Sequence, residues 1–278
     1  MAITNFIPTV WSENLYTQLD KKYIAVANCS RDWEGDIKQC GDRVKICGVG
    51  PVSVFTYNKN SNIPAPAVLS DSARELVINQ AKAFNFQIDD VDIAQARPGL
   101  MDAAIRQAAD ALANAADKYV YDLHNTVENN VTHMEVNEEN IFNIILDAVL
   151  NLQEKGVRDD MILEVSPYIA SLILKAKIGL LSDNSSAIEN GCIGSIAGVK
   201  VFVSNNIQVR SEGMTYFYQC FLRTKRAITF AQQLSEIEAY RPELRFADAV
   251  KGLHLYGAKV VYPNEIMVLS LNFPNPEI

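Results

Sequence analysis

Potential metal ligands are present in the sequence, but their spacing does not match a metal site. Asp89, Asp90 and Asp92 lie close enough together for their carboxylates to bind Mg²⁺, which prefers oxygen ligands. A short acidic run at the end of a strand is more often a solvated loop, and we favour that interpretation. The 3 histidines form neither an H-x-x-x-H nor an H-E-x-x-H pattern: His124, His133 and His254. The sequence therefore predicts no metal site.

The cysteines indicate reduced thiols in a protein made in a cytoplasm. Their odd number and wide spacing fit neither a disulfide framework nor a zinc-ligand pattern. A cysteine and a histidine could still meet in space as a nucleophile and its base, but no motif indicates such a pair. The 5 cysteines are Cys29, Cys40, Cys47, Cys192 and Cys220.

The glycine patterns do not match a phosphate-binding loop. Gly48 and Gly50 form a lone G-x-G without a third glycine or a following helix. Gly191, Gly194 and Gly198 lack the Lys-Ser/Thr pair of a phosphate loop, and no serine lies in a G-x-S-x-G motif. We therefore expect no catalytic set and no cofactor, and predict that the protein is not an enzyme.

Composition indicates an ordinary folded protein with an acidic balance. The chain has 278 residues, of which 49% are hydrophobic and 21% charged, so we expect order and one or two domains. A net charge of −8 argues against a simple nucleic-acid-binding surface. The sequence has no apolar run long enough to span a membrane, and its first residues do not resemble a signal peptide.

The first 42 residues predict an arm rather than the start of a compact domain. Trp11, Leu15, Leu19 and Tyr23 recur at a spacing of four, which is typical of a short amphipathic helix. The following residues, including Trp33, are rich in turn formers. Because exposed tryptophans favour a partner surface, we expect the arm to lie along another subunit.

Residues 43–88 predict an extended hairpin. One limb begins at Val44 and Ile46, and the other carries Phe84, Phe86 and Ile88, each alternating with polar residues. A polar, proline-containing loop joins the two limbs. Because a hairpin that protrudes buries little surface in its own domain, it usually requires a neighbour or is mobile.

Residues 98–126 carry the strongest helix signal. Pro98 suits a first helical turn, and alanine is frequent in the residues that follow. Such a helix would be about 40 Å long, and we interpret it as a structural spine. Its predicted apolar stripe consists of Leu100, Ala104, Ala108, Leu112, Ala115, Tyr119 and Leu123, beside a charged row of Asp102, Arg106 and Asp110.

Residues 137–210 predict a compact α/β module, and residues 214–278 predict mostly strands. In the module, a helix follows Asn137 and ends at Gly156, and Ser166 or Pro167 opens a second helix after a short buried strand. The final strands do not alternate with helices, so a doubly wound sheet is not expected.

The arm, the hairpin and one turn supply candidate contacts between subunits. Arg241 and Arg245 flank that turn, where arginines either make ordinary surface ion pairs or pair with acidic residues of a neighbour. The presence of an arm and a hairpin favours the second interpretation. The candidate contact residues are Trp11, Trp33, Val52, Phe55, Tyr57, Arg74, Arg241 and Arg245.

The order of these parts, together with several local motifs, resembles the major capsid proteins of tailed bacteriophages. The motifs are FIPTVWSENL at the start, GDRVKI entering the hairpin, and FNFQIDDVDIAQA leaving it. SPYIASLI and IGSIAGVKVFVSNNI lie in the module, and a final block runs from RTKRAITF to GAKVVYP. The resemblance covers essentially the whole chain.

The resemblance implies the α+β capsid fold of phage Hong Kong 97, with four parts. Residues 1–42 would be the N-terminal arm and residues 43–88 the extended hairpin loop. Residues 89–136 and 223–278 would form the peripheral domain around spine helix 98–126, and residues 137–222 the axial domain.

The resemblance also implies function and partners. Pentamers and hexamers of the chain would form an icosahedral shell around double-stranded DNA, which the shell would not read by sequence. Expected partners are copies of the chain itself and, where present, scaffolding, portal and decoration proteins, but no membrane. The protein would assemble in the cytoplasm of a host bacterium and reside in the virion.

Two alternatives remain open at this point. An encapsulin, a cellular nanocompartment of the same fold, would hold a cargo enzyme instead of DNA. A small α/β enzyme built on the 137–210 module is a weaker alternative, because it leaves the arm, the hairpin and the spine helix unexplained. Assembly size separates the enzyme from the two shells, and DNA or cargo content separates the shells from each other.

Overall fold

A computed structural model describes residues 15, 17–32, 41–49, 56, 57, 59, 62, 71–89, 100–158, 160–176, 192–213 and 215–273. Its helices are α1 (17–22), α2 (Leu100–Asp122), α3 (Ile141–Glu154) and α4 (Pro167–Lys175). The first strands are β1 (Arg43–Val49), β2 (Asp71–Val77), β3 (Gln80–Asp89), β4 (Asn130–His133), β5 (Met161–Val165) and β6 (Cys192–Ile196). The others are β7 (Val199–Val203), β8 (Val209–Glu212), β9 (Thr215–Thr224), β10 (Ile228–Tyr240), β11 (Ala247–Val260) and β12 (Ile266–Phe273).

A seven-stranded mixed sheet forms the centre of the fold. Its order is β4-β12-β9-β5-β7-β6, and β8 pairs with β9. All five residues of β5 are buried, as expected for an apolar strand that is covered on both faces. The sheet contains both parallel and antiparallel pairs, in agreement with the predicted absence of a doubly wound fold.

Each face of this sheet has its own apolar core. Because side chains alternate along a strand, Cys220 and Leu222 of β9 face α3 and α4, whereas Phe221 faces α2 and the N-terminal segment. In β12, Met267 and Leu269 belong to the first core and Val268 to the second. The sheet therefore lies between two helical layers.

The two module helices follow the predicted local rules. The Ser166 hydroxyl accepts a hydrogen bond from the Ile169 N–H at 3.4 Å, and Pro167 occupies the first helical position of α4. The first helix of the module, α3, begins later than predicted. The Asn137 side chain accepts hydrogen bonds from the Glu139 and Asn140 N–H groups, which form a turn before the helix.

The spine helix α2 is confirmed, but its buried face differs from the predicted stripe. Of the predicted residues with described side chains, Leu112 alone is buried, and the others are half-buried at the margins. A strict spacing of four residues drifts around a helix by about 40° per step, because each residue turns about 100°. The buried face consists of Ile105, Ala109, Leu112, Ala113, Ala116, Asp117, Val120 and Tyr121.

The described part of the N-terminal arm packs inside its own chain. Leu15, Leu19 and Tyr23 are buried, as their spacing predicted. They face the spine helix and β10 rather than another subunit, and Lys22 forms an ion pair with Asp110 at 3.2 Å. The apolar face of this segment is therefore covered by its own chain, which is a correction to an arm that lies only on a neighbour. Contact of the segment with another subunit stays a prediction, and Trp11 and Trp33 lie outside the described residues.

The predicted hairpin has a different second limb. Strand β1 pairs with β2 from Arg43 opposite Val77 to Val49 opposite Asp71. The residues expected to form the second limb, Phe84 to Ile88, belong to β3, which pairs with β11 in a three-stranded sheet of order β10-β11-β3. The alternation that suggested a hairpin limb instead reflects one exposed and one covered face of this edge strand.

A small core and a close backbone contact hold the base of the hairpin on the three-stranded sheet. Val44, Ile46 and Leu76 pack with Ala231 and Leu255. At Gly257 of β11, an added Cβ would lie 2.4 Å from the Val77 carbonyl oxygen. Glycine at this position therefore allows the hairpin backbone to cross β11.

Substitution of Gly257 by alanine should displace the hairpin base. We expect Gly257→Ala to lower the free energy of unfolding by about 1–3 kcal/mol, since the clash is with backbone that cannot rotate away. Gly252→Ala is the matched control on the same strand, because its Cβ would meet the movable ring of Phe84 instead. Urea unfolding and amide exchange of β1 and β2 measure the difference, and equal effects of the two variants would contradict this role.

Candidate intersubunit surfaces

The predicted contact residues do not converge on one site. Trp11, Trp33, Val52 and Phe55 lie outside the described residues. The structure places Tyr57 68% exposed in the segment that joins β1 to β2. Arg74 is half-buried and donates a hydrogen bond to the Val261 carbonyl of the same chain, so its guanidinium secures the hairpin base.

Arg241 and Arg245 lie in the loop that joins β10 to β11, residues 241–246. Arg241 forms an ion pair with Asp248 at 3.4 Å, an ordinary exposed contact within the chain. The Arg245 side chain is exposed, and its backbone N–H is bound to the Pro242 carbonyl at 3.4 Å. The two arginines therefore share a loop, but one of them has an internal partner.

Two large apolar side chains in this loop were missed by the sequence reasoning. Leu244 is 96% exposed and Phe246 is 85% exposed. Exposed apolar side chains that lie close together are typical of interaction sites, because water solvates them poorly. A sequence signal was available: Leu244 and Phe246 lie within a proline-containing turn, where side chains have no core to fill.

The described residues also contain a buried ion pair that no sequence motif indicated. The Arg223 Nε and Nη2 atoms donate to the two carboxylate oxygens of Glu164, each at 3.0 Å, and both side chains are fully buried. Arg223 lies on β9 and Glu164 on β5, and both face the core shared with the spine helix. This bidentate geometry is the strongest form of an arginine–carboxylate contact.

The N-terminal segment supplies the remaining hydrogen bonds of the pair. The Arg223 guanidinium donates to the Ala25 carbonyl at 3.1 Å and to the Asn28 carbonyl, and the Asn28 amide donates to Glu164 at 3.1 Å. Burial alone would lower the pKa of Arg223, but the adjacent Glu164 charge raises it, so the guanidinium stays charged. Residues 25–28 are thereby bound to the central sheet.

Asp117 connects the same segment to the spine helix. Its carboxylate is almost completely buried and accepts the N–H groups of Ile24 at 3.0 Å and Val26 at 3.1 Å. Burial raises the pKa of Asp117 to about 7, although these two hydrogen bonds favour the charged form. We define Arg223, Glu164, Asn28 and Asp117 as the anchor cluster. In the sequence, its charged members stand out because they lie inside apolar strands or the Ala-rich helix.

A second buried polar group lies between the three-stranded sheet and the N-terminal segment. The His254 Nε2 atom lies 3.0 Å from the Gln232 side-chain oxygen, which also accepts the Tyr23 hydroxyl at 2.5 Å. The histidine is fully buried, and burial lowers its pKa to about 4. The neutral ring is therefore the form that the folded chain requires.

The described residues show no arrangement typical of a metal site or a membrane anchor. Across the described ranges, no three His, Cys, Asp or Glu side chains come close enough to hold a metal ion. None of the described helices combines the length and the apolar character needed to cross a bilayer. Cys29, Cys192 and Cys220 are free thiols, and burial raises the pKa of Cys29 to about 11 and that of Cys220 to about 12.

Comparison with known proteins identifies the fold. No protein-family model matches the sequence, and no curated protein matches it. A structure from Mycobacterium phage Che8 is similar with a TM-score of 0.68 and 25% identity, covering 89% of this chain and 90% of that one. The capsid of Ralstonia phage GP4 is similar with a TM-score of 0.71 and 10% identity, covering 94% of this chain and 92% of that one.

The chain therefore has the fold of tailed-phage major capsid proteins, the Hong Kong 97 type, and the resemblance seen in the sequence is confirmed. A virus-like particle from Pyrococcus furiosus is also similar, with a lower TM-score of 0.56 and 13% identity. The similarity covers 95% of this chain and 100% of the particle's chain.

Removing one member of the anchor cluster should be strongly destabilising. We expect Arg223→Met to lower the free energy of unfolding by about 3–5 kcal/mol, because Glu164 would be left as an uncompensated buried charge. Urea unfolding of Arg223→Met, Glu164→Leu and the double variant measures the coupling. The double variant should lose less than the two single variants together, and simple additivity would contradict the assignment.

His254 should make stability depend on pH. Its pKa is lower in the folded chain than its ordinary value of 6.5, so the unfolded chain binds more protons as the pH falls from 6.5 to 4. The stabilisation by neutral His254 is therefore fully present above pH 6.5 and is lost on acidification. We expect this loss to lower the free energy of unfolding by about 2 kcal/mol at pH 5.

The variant His254→Gln isolates this effect, since glutamine can still donate to Gln232. The raised pKa of Asp117 acts in the opposite direction, because its neutral form favours the folded chain as the pH falls below 7. The informative quantity is the difference between the unfolding free energies of wild type and variant from pH 8 to pH 5. A difference that does not vary with pH would contradict the lowered pKa of His254 in the folded chain.

Proposed function

We propose that the protein is a structural major capsid protein that assembles into the shell of a tailed bacteriophage. The observation that carries the proposal is the similarity to the capsid of Ralstonia phage GP4, which extends over 94% of the chain. In this proposal, pentamers and hexamers close into an icosahedral shell that encloses double-stranded DNA. The role is structural rather than enzymatic.

Assembly would use the elements that protrude from the two cores. The hairpin of β1 and β2, residues 43–77, would overlap an adjacent subunit. Residues 137–222 would meet their copies around the five- and six-fold axes as the axial domain. Residues 89–136 and 223–278 would form the peripheral domain, and residues 1–42 the arm. Weak contacts of each subunit would become strong when they are repeated around closed rings.

We assign the 241–246 loop to this assembly surface. Leu244 and Phe246 would be covered by a second copy of the chain, and Arg245 would lie at the polar rim of the contact, as is common for interface arginines. Tyr57 of the hairpin is a further candidate because of its exposure. Trp11, Trp33, Val52 and Phe55 remain predictions from the sequence, and Arg74 and Arg241 would act mainly within the subunit.

The shell would form in the bacterial cytoplasm and reside in the virion. Scaffolding, portal and decoration proteins are the expected additional partners. The net charge of −8 supports a shell that encloses DNA without binding it tightly or by sequence, because tight binding depends on many basic side chains facing phosphates.

A second candidate is a nanocompartment of the encapsulin type. The similarity to the virus-like particle from Pyrococcus furiosus favours it, since that chain is covered completely. Its TM-score of 0.56 is lower than the 0.71 of the Ralstonia phage capsid, so the phage shell is the better supported proposal.

The size and shape of the purified protein test the proposal directly. We expect rings or closed shells by light scattering and negative-stain microscopy, with nucleic acid rather than a cargo enzyme inside particles isolated from an infected host. A chain that remains a monomer or dimer, even with a scaffolding partner or a crowding agent, would contradict a shell function.

The 241–246 loop should affect assembly without affecting folding. Because Leu244 and Phe246 are exposed in the subunit, we expect Leu244→Ser and Phe246→Ser to change the unfolding free energy by less than about 0.5 kcal/mol. Sedimentation velocity should nevertheless detect fewer assembled particles. Glu243→Gln is the control in the same loop, and shells formed in normal yield by both serine variants would remove the loop from the proposed surface.

A further inference from the structure

Three basic side chains from two separate segments line a cavity at one end of the central sheet. The cavity has a volume of about 390 Å³. Arg158 lies in the turn between α3 and β5, and Lys225 and Arg226 lie in the 3₁₀ turn between β9 and β10. We define this cavity as the basic pocket.

Strand pairing explains why the two segments meet. Strand β5 begins at Met161, which pairs with Thr224 at the end of the antiparallel strand β9. The residues just before β5 and just after β9 therefore lie next to each other at the same end of the two strands. The basic pocket is a consequence of sheet register and is not visible in the linear sequence.

Both walls of the basic pocket are held in place by internal contacts. On one side, the Gly156 and Val157 N–H groups bind the last carbonyls of α3, at 2.9 and 3.1 Å, and Val157 is anchored in the apolar core. On the other side, Glu265 accepts Arg226 through two guanidinium nitrogens, and Thr224 donates to the same carboxylate at 2.7 Å. The backbone of one wall and the Arg226 guanidinium of the other are therefore fixed before a ligand binds, which reduces the cost of binding.

The charge of the basic pocket favours an anion. Its lining contains three cationic side chains and one described carboxylate, that of Asp160. Glu265 neutralises Arg226, which also lies over the Tyr262 ring at 5.5 Å. Arg158 and Lys225 are exposed, and neither has an acidic partner among the residues that the structure describes. Once Asp160 and Glu265 are counted, the described groups at this concave site keep a net positive charge, in contrast with the net charge of −8 of the whole chain.

We propose that the basic pocket binds a phosphate group. Arginine and lysine donors arranged around a cavity suit a tetrahedral oxyanion, which carries more charge and more acceptor atoms than a carboxylate. The phosphate can be free inorganic phosphate or part of a nucleic-acid backbone, and the two sources share the same chemistry at the site.

Binding of inorganic phosphate to the unassembled full-length chain tests the proposal. We expect calorimetry to detect binding to wild type, and phosphate to raise the melting temperature more than sodium chloride at equal ionic strength. Arg158→Gln and Lys225→Gln should each weaken phosphate binding about tenfold, since each removes a charge-assisted hydrogen bond. Lys155→Gln is the matched control, because it removes a nearby exposed charge that does not line the basic pocket.

A short DNA duplex distinguishes the source of the phosphate. If backbone phosphates enter the basic pocket, Arg158→Gln and Lys225→Gln should each reduce the salt dependence of duplex binding by about one ion, and Lys155→Gln should not. If all three variants bind the duplex equally while phosphate binding is still lost in the first two, the ligand is free phosphate. No phosphate binding by wild type, or equal binding by all variants, would overturn the proposal whether or not the protein assembles into shells.

Discussion

The ion pair between Arg223 and Glu164 determines how the layers of this protein are arranged. Two charges that are fully removed from water are tolerated only when nearly all of their hydrogen-bonding capacity is used. Strands β5 and β9 alone cannot provide this, because Glu164 and Arg223 are the single charged side chains of these two strands. The missing partners come from the carbonyls of Ala25 and Asn28, so the N-terminal segment must occupy one position. Asp117 then aligns the spine helix with that segment.

This arrangement separates the stable part of the subunit from the parts that are free for contacts. The central sheet buries apolar side chains on both faces, and its buried Arg223 and Glu164 are hydrogen-bonded within the chain. The hairpin, by contrast, is attached through a small core at its base, and the 241–246 loop exposes Leu244 and Phe246 to solvent. A well-packed body with incompletely covered extensions suits the proposed shell, in which repeated contacts between copies would add stability.

Local signals in the sequence predicted the regular elements well. Caps, glycines and apolar periodicity indicated the spine helix, both module helices and the short buried strand between those two helices. They were less successful for side-chain direction and strand partners. The spine helix buries a face that is rotated from the predicted stripe, and Phe84 and Phe86 lie in a strand that pairs with β11 instead of with the first limb of the hairpin. Period and composition determine that a segment is a helix or a strand, but its neighbour depends on contacts far apart in the chain.

The amino-acid sequence by itself determined most of the helices and strands and an acidic charge balance, because these follow from local patterns, and it indicated the class of fold through its resemblance to a known family. Only the tertiary structure decided which charges are buried and which are exposed. Arg223 and Arg226 are three residues apart, yet one is enclosed with Glu164 and the other lines a cavity with Lys225. The difference arises from side-chain alternation and strand register. Arg223 is the second-last residue of the paired strand β9 and points into the core, whereas Arg226 lies beyond the end of that strand.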